Sequence, residues 1–252
     1  MFDKLWSWRK QPPITRAERE QFIEGQTFTR LKDRDAGLRF VGLRFHDCLF
    51  DNCLLSDERP DGSRSQVQNV HLDQCKFVGC QIGPAIFCDA TVANSTANDL
   101  TIFWGSLFRR VTFTGRVSAF KINRSVTSLP DARMQAIYDE SRQTFYENTD
   151  WAIDISKAQF TSFDCEGIPA RLFRLDLETQ GIVRRENVPS DWRPKFYETN
   201  AWGPWVSHFL RTGDEDAVLA TPLTKPKKIR DRFLEDLRKL RSLGIVDPPA
   251  LS

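Results

Sequence analysis

The residues from Val70 to Arg109 repeat with a period of five. Every fifth position is apolar, and in chain order these positions are Leu72, Phe77, Ile82, Phe87, Val92, Ala97, Ile102 and Leu107. Most of the residues that stand two places earlier are small or β-branched; they are Val70, Cys75, Cys80, Ala85, Ala90, Ser95, Leu100 and Gly105. This period suits neither an α-helix, which repeats at about 3.6 residues, nor a half-buried β-strand, which repeats at about 2. It indicates a chain that turns a corner at each repeat and sends one large and one small side chain inward.

Four such sides would close a coil of about twenty residues, and stacked coils would pair their backbones about 4.8 Å apart. The same spacing occurs upstream, where Phe45, Phe50 and Leu55 follow Leu43, Cys48 and Cys53 by two places. The text FHDCLFDNCLL, followed by QCKFVGCQI, resembles the consensus of the pentapeptide-repeat family. The resemblance covers about 100 of the 252 residues in two blocks and is degenerate at Ala97 and Leu100.

The resemblance implies a mainly β chain that forms a right-handed quadrilateral parallel β-helix. It implies no catalytic residues, cofactor or metal, because the family is known mainly for binding and scaffolding. Some of its members are thought to imitate DNA for a topoisomerase, which requires a strongly negative rod. Between Gln26 and Arg124 this chain has 13 Lys and Arg against 10 Asp and Glu. The net positive charge disfavours DNA mimicry.

The sequence predicts three regions. Residues 1–25 are expected to form a helical N-terminal cap, with a capping box at Thr15 and Glu18 and an end at Gly25. Residues 26–168 are expected to form the solenoid, whose register slips by one after Leu107. A helical insertion at about 125–157 carries a helix at about 131–146, and the repeat returns near Phe160.

Residues 169–252 are expected to form a small α+β module. The segments Arg171–Asp176 and Ile182–Arg185 flank a turn and predict a β-hairpin. A dense set of aromatic residues at 192–210 predicts a small core. The module ends in an amphipathic helix, Thr224–Leu243, closed by Gly244 and Pro248.

Six cysteines raise the question of metal or disulfides. Four of them, Cys48, Cys53, Cys75 and Cys80, fall on the small inward position, where cysteine serves as a buried apolar side chain. Their five-residue step is wider than the usual spacing of zinc ligands, so we expect no metal. No stretch approaches eighteen apolar residues, which predicts a soluble, cytoplasmic protein. The resemblance to pentapeptide-repeat proteins implies a bacterial-type scaffold. Both ends of the solenoid are expected to be capped, which favours a monomer.

The chain has three histidines, and no motif of nucleotide binding, zinc hydrolysis or serine hydrolysis. His46 and Asp47, and likewise His71 and Asp73, should point outward and line one edge of the coils. No nucleophile accompanies them, so the prediction is that the protein is not an enzyme. The alternative is an enzyme in the C-terminal module, which would need a pocket that gathers His208 with carboxylates such as Asp214 or Glu215.

Three large aromatic residues lie between the inward Ile102 and Leu107 or just after them: Phe103, Trp104 and Phe108. The five-residue spacing turns at least two of them outward, and large outward aromatics require a cover. The cover is either internal, from the predicted helix or the C-terminal module, or a protein partner. In the second case Arg109, Arg110 and Arg116 would form the polar rim of the interface.

The last helix is strongly basic. From Lys225 to Arg241 there are eight cations and three anions. The cations are Lys225, Lys227, Lys228, Arg230, Arg232, Arg238, Lys239 and Arg241. This pattern is typical of a solvated helix face, and it also suits binding to nucleic acid or to an anionic membrane surface.

The sequence therefore favours a non-catalytic scaffold that binds another protein through the solenoid wall and the C-terminal module. Toxin neutralisation, resistance to a topoisomerase poison and assembly of a larger complex would all fit. Binding of nucleic acid or membrane through the 225–241 helix is the first alternative, and an uncharacterised enzyme in the C-terminal module is the second. The partner and the pathway cannot be read from the sequence.

Overall fold

Most of the chain is built from short parallel strands that stack turn upon turn. The computed structural model describes residues 20–33 and 37–247. In chain order the strands of this part are β1 (Gln21–Glu24), β2 (Thr27–Thr29), β3 (Arg39–His46), β4 (Leu49–Asp51), β5 (Leu54–Leu55), β6 (Ser65–Asp73), β7 (Lys76–Val78), β8 (Gln81–Ile82), β9 (Ala85–Cys88), β10 (Thr91–Ala93), β11 (Thr96–Ala97), β12 (Thr101–Trp104), β13 (Leu107–Arg109), β14 (Val111–Asn123), β15 (Ile153–Cys165) and β16 (Phe173–Arg174). One helix, α1 (Ala132–Glu147), stands between β14 and β15.

The strands make four walls, each of them a parallel ladder. The first wall contains β1, the ends of β3 and β6, β10, the starts of β14 and β15, and β16. The second wall contains β2, β4, β7 and β11. The third wall contains β5, β8, β12 and the ends of β14 and β15. The fourth wall contains the starts of β3 and β6 together with β9 and β13.

The repeat length follows from the pairing. On the first wall Leu72 pairs with Val92 twenty residues later, and Val92 pairs with Phe113 twenty-one residues later. The coil of about twenty residues predicted from the period of five is therefore present. Each inward residue sits directly over its equivalent in the neighbouring coil, so the core is a set of ladders of like side chains.

The extra residue lies earlier in the chain than the sequence predicted. Phe77 pairs with Ala97 at a spacing of twenty, but Ile82 already pairs with Phe103 at twenty-one. The register therefore slips at the corner between 97 and 103, not after Leu107. The residue that this corner turns outward is Leu100, which is 47% exposed.

The corners are turned by residues in the left-handed region of backbone space. Between the first and second walls these residues are Gly25, Asp47, Gln74, Asn94 and Gly115, with φ between 47° and 64°. Asn and Asp tolerate this conformation better than other side chains, which explains the polar residues at corner positions. The peptide N–H of each corner residue donates to the next coil, for example from Gln74 to the carbonyl oxygen of Ala93 at 3.1 Å.

The predicted packing role of the cysteines agrees with their positions. All six are free thiols, and Cys48, Cys75 and Cys88 are buried. The thiols donate to backbone oxygens of the preceding coil, as Cys53 does to Phe28 at 3.3 Å and Cys80 to Phe50 at 3.3 Å. A small side chain with a weak donor therefore suits the inward position next to a corner.

The N-terminal helical cap is corrected in part. Residues Gln21–Glu24 are strand β1, paired in parallel with Leu43–His46, where the prediction had the end of a helix. In this strand the side chain of Ile23 packs against the core, whereas that of Phe22 is exposed. The edge of β3 supplies the backbone hydrogen-bond partners of β1, so the segment is a strand and not a helix. The capping box at Thr15 and Glu18 lies outside the described residues.

The predicted helix of the insertion is present as α1. Asp131 caps it by accepting from the N–H groups of Arg133 and Met134. Its buried residues, Tyr138 and Tyr146, pin it to the coils: the Tyr146 hydroxyl accepts from the N–H of Phe108 at 3.3 Å. The insertion ends sooner than predicted, because β15 begins at Ile153 rather than after 157.

Departures from the short coil occur at the edge where the third wall meets the fourth. In two coils this edge is only Gly83–Pro84 and Gly105–Ser106, whereas residues 56–64 form it in a third. In a fourth coil residues 124–152 leave at this edge and also span the fourth wall, because β15 begins on the first wall. Hydroxyls stitch the edge together: Ser56 donates to the carbonyl oxygen of Pro84 at 2.6 Å, and Ser106 to that of Gly83 at 2.8 Å.

The C-terminal module has its own sheet and core. The strands are β17 (Gln180–Arg184), β18 (Asp216–Ala220) and β19 (Val246–Asp247), and the helices are α2 (Trp192–Phe196), α3 (Gly203–Thr212) and α4 (Lys227–Ser242). β17 lies between β18 and β19, antiparallel to both. The core contains Trp192, Trp202, Val206, Phe209, Leu237 and Leu240.

The predicted hairpin is wrong. β16 pairs in parallel with the start of β15, which places it on the last coil, and β17 pairs with β18. The chain does turn at Asp176–Gln180. However, the backbone of β16 pairs with the edge strand β15 of the last coil, so it is not available to pair with β17. The coil stack therefore extends to Arg174, past the predicted boundary at 168. No helix in the described part of the chain has both the length and the apolar character needed to cross a bilayer.

Candidate functional site

A cluster of four titratable side chains joins the coil stack to the C-terminal module. Lys121 comes from β14, Asp164 from β15, Glu166 follows β15, and His208 comes from α3. The Lys121 ammonium lies 2.9 Å from Asp164 Oδ2 and 3.0 Å from Glu166 Oε1. His208 Nε2 lies 2.9 Å from the same Glu166 oxygen. We call this group the junction cluster.

The charges of the junction cluster support one another. Burial disfavours the charged form of Lys121, but the two carboxylates outweigh it and the pKa of Lys121 lies above its ordinary value. Burial likewise disfavours charged Glu166, but bonds from His208 and Lys121 outweigh it and the pKa of Glu166 lies below its ordinary value. The charged forms are therefore the stable ones at neutral pH.

Two carboxylates and an imidazole within reach of one another are a common metal-ligand set. Here the Lys121 ammonium already lies between the carboxylates, in the position a cation would need. The chemistry of the donor set thus fits an internal ion-pair network better than a metal site. The junction cluster clamps α3 onto the last coil, and Trp205 adds a bond from its indole N–H to the carbonyl oxygen of Phe163 at 3.3 Å.

The aromatic residues predicted to face outward lie mostly inside. Phe103 is 8% exposed and Phe108 is fully buried. Both rings join an inner aromatic cluster, with Phe103 centred 4.5 Å from Phe120 and Phe108 stacked 5.2 Å from Phe87. The cause is the slip between 97 and 103, which moves the inward positions from 102 and 107 to 103 and 108. That part of the predicted partner surface is therefore wrong.

The residues next to Phe103 and Phe108 in the sequence, Trp104, Arg109 and Arg110, also contact other parts of this protein. Trp104 is half-buried. The Arg109 guanidinium lies over the ring of Phe145 in α1, 5.9 Å from its centre. Arg110 is bound to Asp89 of the preceding coil at 2.6 Å. The predicted cover is thus internal at this point, and α1 supplies part of it.

The two histidines predicted to line one edge of the coils lie two positions apart in register, His46 opposite Asp73 and His71 opposite Arg44. His46 pairs in register with Asp73, and its Nδ1 lies 3.1 Å from Asp73 Oδ2. His71 Nε2 lies 3.3 Å from Asn69 Oδ1 instead. Burial and the charge of Arg44 lower the pKa of His71. No hydroxyl or thiol nucleophile contacts either ring among the described residues.

The pocket required for an enzyme in the C-terminal module does not form around His208 as predicted. His208 faces the junction cluster, whereas Asp214 accepts from the N–H of Gly167 at 2.9 Å and lies 3.8 Å from Arg124. Burial raises the pKa of Asp214. The two groups serve separate contacts that fasten the module to the coils.

The basic helix α4 is partly neutralised by its own anions. Asp231 binds Lys227 and lies 3.7 Å from Arg230, and Asp236 lies 3.9 Å from Arg232. Arg241 donates to the carbonyl oxygen of Gln180 at 2.6 Å, and burial lowers its pKa. The exposed cations of this segment are Lys225, Lys227, Lys228, Arg232, Arg238 and Lys239.

A polar groove of about 720 Å³ lies where the second wall meets the C-terminal module. We call it the wall groove. Its side chains are Asp47, Gln74, Lys76, Asn94, Thr96, Arg116, Val117, Ser118, Thr161 and Thr224. Thr161 and Thr224 hydrogen-bond through their hydroxyls at 2.9 Å, which closes the far end. Sequence reasoning missed this groove, because its residues come from five successive coils and one position of the module.

Comparisons with known proteins give little beyond the geometry. The chain matches no protein-family model and no curated protein. Among solved structures it is similar to two trypsin-treated variants of QnrB1, described as a plasmid-mediated fluoroquinolone resistance protein. Identity is 13% and 12%, and the match covers 63% of this chain and 85% and 91% of those chains, with a TM-score of 0.16 in both cases. The description of the fold therefore rests on the strand pairing alone.

Proposed function

We propose that this protein is a non-catalytic scaffold that binds a segment of another protein in the wall groove. The observation that carries the proposal is the groove itself, which the coil wall lines and to which the C-terminal module adds Thr224. The fold we propose beneath it is the right-handed quadrilateral β-helix of pentapeptide-repeat proteins. Right-handed connection of parallel strands is the general preference for L-amino acids.

The chemistry of the wall groove suits an extended polypeptide. A peptide backbone offers both donors and acceptors, and the amides of Gln74 and Asn94 supply both. Successive coils are about 4.8 Å apart, so the corner residues from Asp47 to Gly115 span roughly 14 Å, about the length of four extended residues. Asp47 at one end and Arg116 at the other give the groove a charge direction, which favours one orientation of the segment.

Binding also agrees better than catalysis with the rest of the described chain. The junction cluster is the one place where described carboxylates and an imidazole converge, and its Lys121 occupies the centre. The groove residues are amides, hydroxyls and charged groups without a base beside a nucleophile. Neutralisation of a toxin, resistance to a topoisomerase poison and a role in assembly remain the three proposals for what the partner is.

The test compares two charge-reversal variants. One changes the groove, Lys76→Glu with Arg116→Glu, and the other changes exposed cations of α4, Arg238→Glu with Lys239→Glu. A partner captured from the source cell and then purified should bind the wild-type and the α4 variant alike in high salt. The groove variant should lose at least tenfold in affinity.

The alternative, nucleic acid or anionic membrane bound by α4, has the opposite signature. The exposed lysines and arginines of α4 are the observation that favours it. Binding would then fall steeply with salt and would disappear in the α4 variant, while the groove variant would keep it. Affinity unchanged in the groove variant would refute binding in the wall groove.

A further inference from the structure

The interior of the coil stack contains an apolar cavity of about 230 Å³. Several inward rings around it, including Phe50, Phe77 and Phe87, are only half-buried although they pack against the core. Farther along the stack Phe113, Phe160 and Phe163 are at most 2% exposed. The cavity therefore extends along the earlier coils as far as Phe113 and Phe120, whereas Phe160 and Phe163 at the C-terminal end of the core do not line it.

One aromatic ladder along this cavity, whose lining runs from Leu31 to Phe120, is interrupted. On the second wall the rings of Phe28, Phe50 and Phe77 stack at centre distances of 5.1 and 5.0 Å. The next position in register is Ala97. Ala90 and Ser95 of the same coil are also small, and Leu100 points away from the core because of the corner slip. One ring is missing from the stack, and no neighbouring side chain fills the space.

Two serine hydroxyls beside the cavity already have hydrogen-bond partners within the protein. Ser95 Oγ donates to the carbonyl oxygen of Ala93 at 2.9 Å and accepts from the N–H of Cys75 at 3.1 Å. Ser118 Oγ accepts from the N–H of Ala97 at 2.8 Å and donates to its carbonyl oxygen at 3.0 Å. A buried water needs two to four polar partners, so an apolar occupant is favoured over water.

The wall is thin between this cavity and the wall groove. Thr96, Val117 and Ser118 line both spaces. The Ser118 hydroxyl bonds to both the N–H and the carbonyl oxygen of Ala97 in the neighbouring coil. Elsewhere on this wall the backbone groups of neighbouring coils bond to each other directly. Rotation of these side chains would open a path from the groove to the cavity.

We propose that the cavity binds one small aromatic molecule, a substituted benzene, whose ring continues the ladder over Phe77. An apolar cavity of about 150 Å³ is enough for benzene. This one leaves room for a substituent as well, which can reach toward the polar groove past Thr96 and Ser118. The offset stacking of the existing rings sets the orientation of the ligand ring.

The test uses toluene as the probe and the full chain as the protein. At ten times its dissociation constant, toluene should raise the melting temperature of the wild-type by about 3–6 °C. Ala97→Phe restores the missing ring and should abolish this rise. Ala132→Phe adds a ring at an exposed position of α1 and should leave the rise unchanged.

Ala97→Leu covers the case in which Ala97→Phe does not fold. The leucine fills part of the cavity and should weaken toluene binding at least tenfold. Toluene binding is measured by the change in the methyl chemical shifts of Val92. The proposal would be overturned if toluene changed neither the melting temperature nor the Val92 chemical shifts of the wild-type protein. Binding that persists unchanged in either Ala97 variant would do the same, because the ligand would then lie elsewhere.

Discussion

The two ends of the coil stack solve the same packing problem differently. The N-terminal coils follow the five-residue repeat closely and have an incompletely filled core. Most of their strands have two to four residues, and the longest, β3 and β6, have eight and nine. The C-terminal coils depart from the repeat: β14 and β15 are each 13 residues long and pair at ten positions. Their core is the denser one. Regularity of the repeat therefore does not measure how well a coil is packed.

The difference follows from where the added elements dock. Helix α1 and the C-terminal module both contact the later coils, through Tyr146 and through the junction cluster. The large side chains of Phe113, Phe120, Phe160 and Phe163 are at most 3% exposed there. We expect the C-terminal coils to hold most of the folding free energy.

The largest expected effect is a truncation in that dense core. Phe120→Ala should lower the free energy of unfolding by about 3–5 kcal/mol, since its ring contacts Phe103, Phe113 and Phe163. The matched change Phe50→Ala, at a half-buried ring of the early coils, should cost about 1–2 kcal/mol. Urea unfolding followed by circular dichroism measures both. Equal costs would remove the contrast between the two ends.

The junction cluster gives the next effect. Lys121→Met leaves Asp164 and Glu166 side by side without their cation, and should cost about 1–3 kcal/mol. The low end of that range allows for the partial exposure of these side chains, 19% for Lys121. Limited proteolysis should then release the C-terminal module before the coils unfold. If the module stays as resistant as in the wild-type, the cluster is not a clamp.

The pH dependence of stability sharpens the same point. Glu166 has a lowered pKa in the folded protein, so its contribution is present above about pH 4.3 and is lost as the pH falls through the folded value. Lys121 has a raised pKa, so its contribution is present below about pH 10.4 and is lost as the pH rises through the folded value. Unfolding measured from acid to alkali should show both losses in the wild-type. Lys121→Met should lose the alkaline dependence and keep a smaller acid dependence, because the bond from His208 to Glu166 remains.

A smaller effect is expected where α1 meets the coils. Tyr146→Phe removes the hydroxyl that accepts from the buried N–H of Phe108, which should cost about 1–2 kcal/mol. Tyr197→Phe, at a tyrosine that is 38% exposed, serves as the control and should be neutral. The slowing of amide exchange at Phe108 reports the bond directly. Unchanged exchange in Tyr146→Phe would contradict its role.

The smallest effect is expected on the surface of the coils. Arg110→Ala removes an exposed ion pair with Asp89, and such pairs add little stability in water. Its unfolding midpoint should not differ measurably from the wild-type. A clear loss would mean that the corner backbone, at which Arg110 has a positive φ of 56°, depends on the pair.

The sequence predicted what depends on neighbours in the chain. The period of five shows which side chains face inward. This information predicts the walls, the length of a coil and the inward positions of the cysteines. A single added residue at a corner has no side-chain signature, so Phe103 and Phe108 were assigned to the wrong side. The strand β1 was missed because its partners lie about 22 residues away.

The candidate sites depend on distant parts of the chain and were not predictable. The junction cluster joins residues 121, 164, 166 and 208, which meet only after the module docks. The wall groove joins outward residues of successive coils with Thr224. The cavity had a trace in the sequence, since Ala97 and Leu100 stand out as weak members of the repeat. Until the pairing register of the strands is known, these two residues indicate only an imperfect repeat. They do not indicate that a side chain is missing from the core.

The edge between the third and fourth walls also indicates how the molecule could be engineered. Residues 56–64 leave the stack there and return to it with β6 in steady register with β3. Residues 124–152 leave at the same edge and return at the first wall, where β15 pairs with β14 with one register shift between Thr112 and Thr114. The turns at Gly83–Pro84 and Gly105–Ser106 are the unfilled equivalents of those departures. A reporter domain or an epitope inserted there would emerge from the same side as α1 and away from the wall groove, so the protein can be labelled without altering its proposed binding surface.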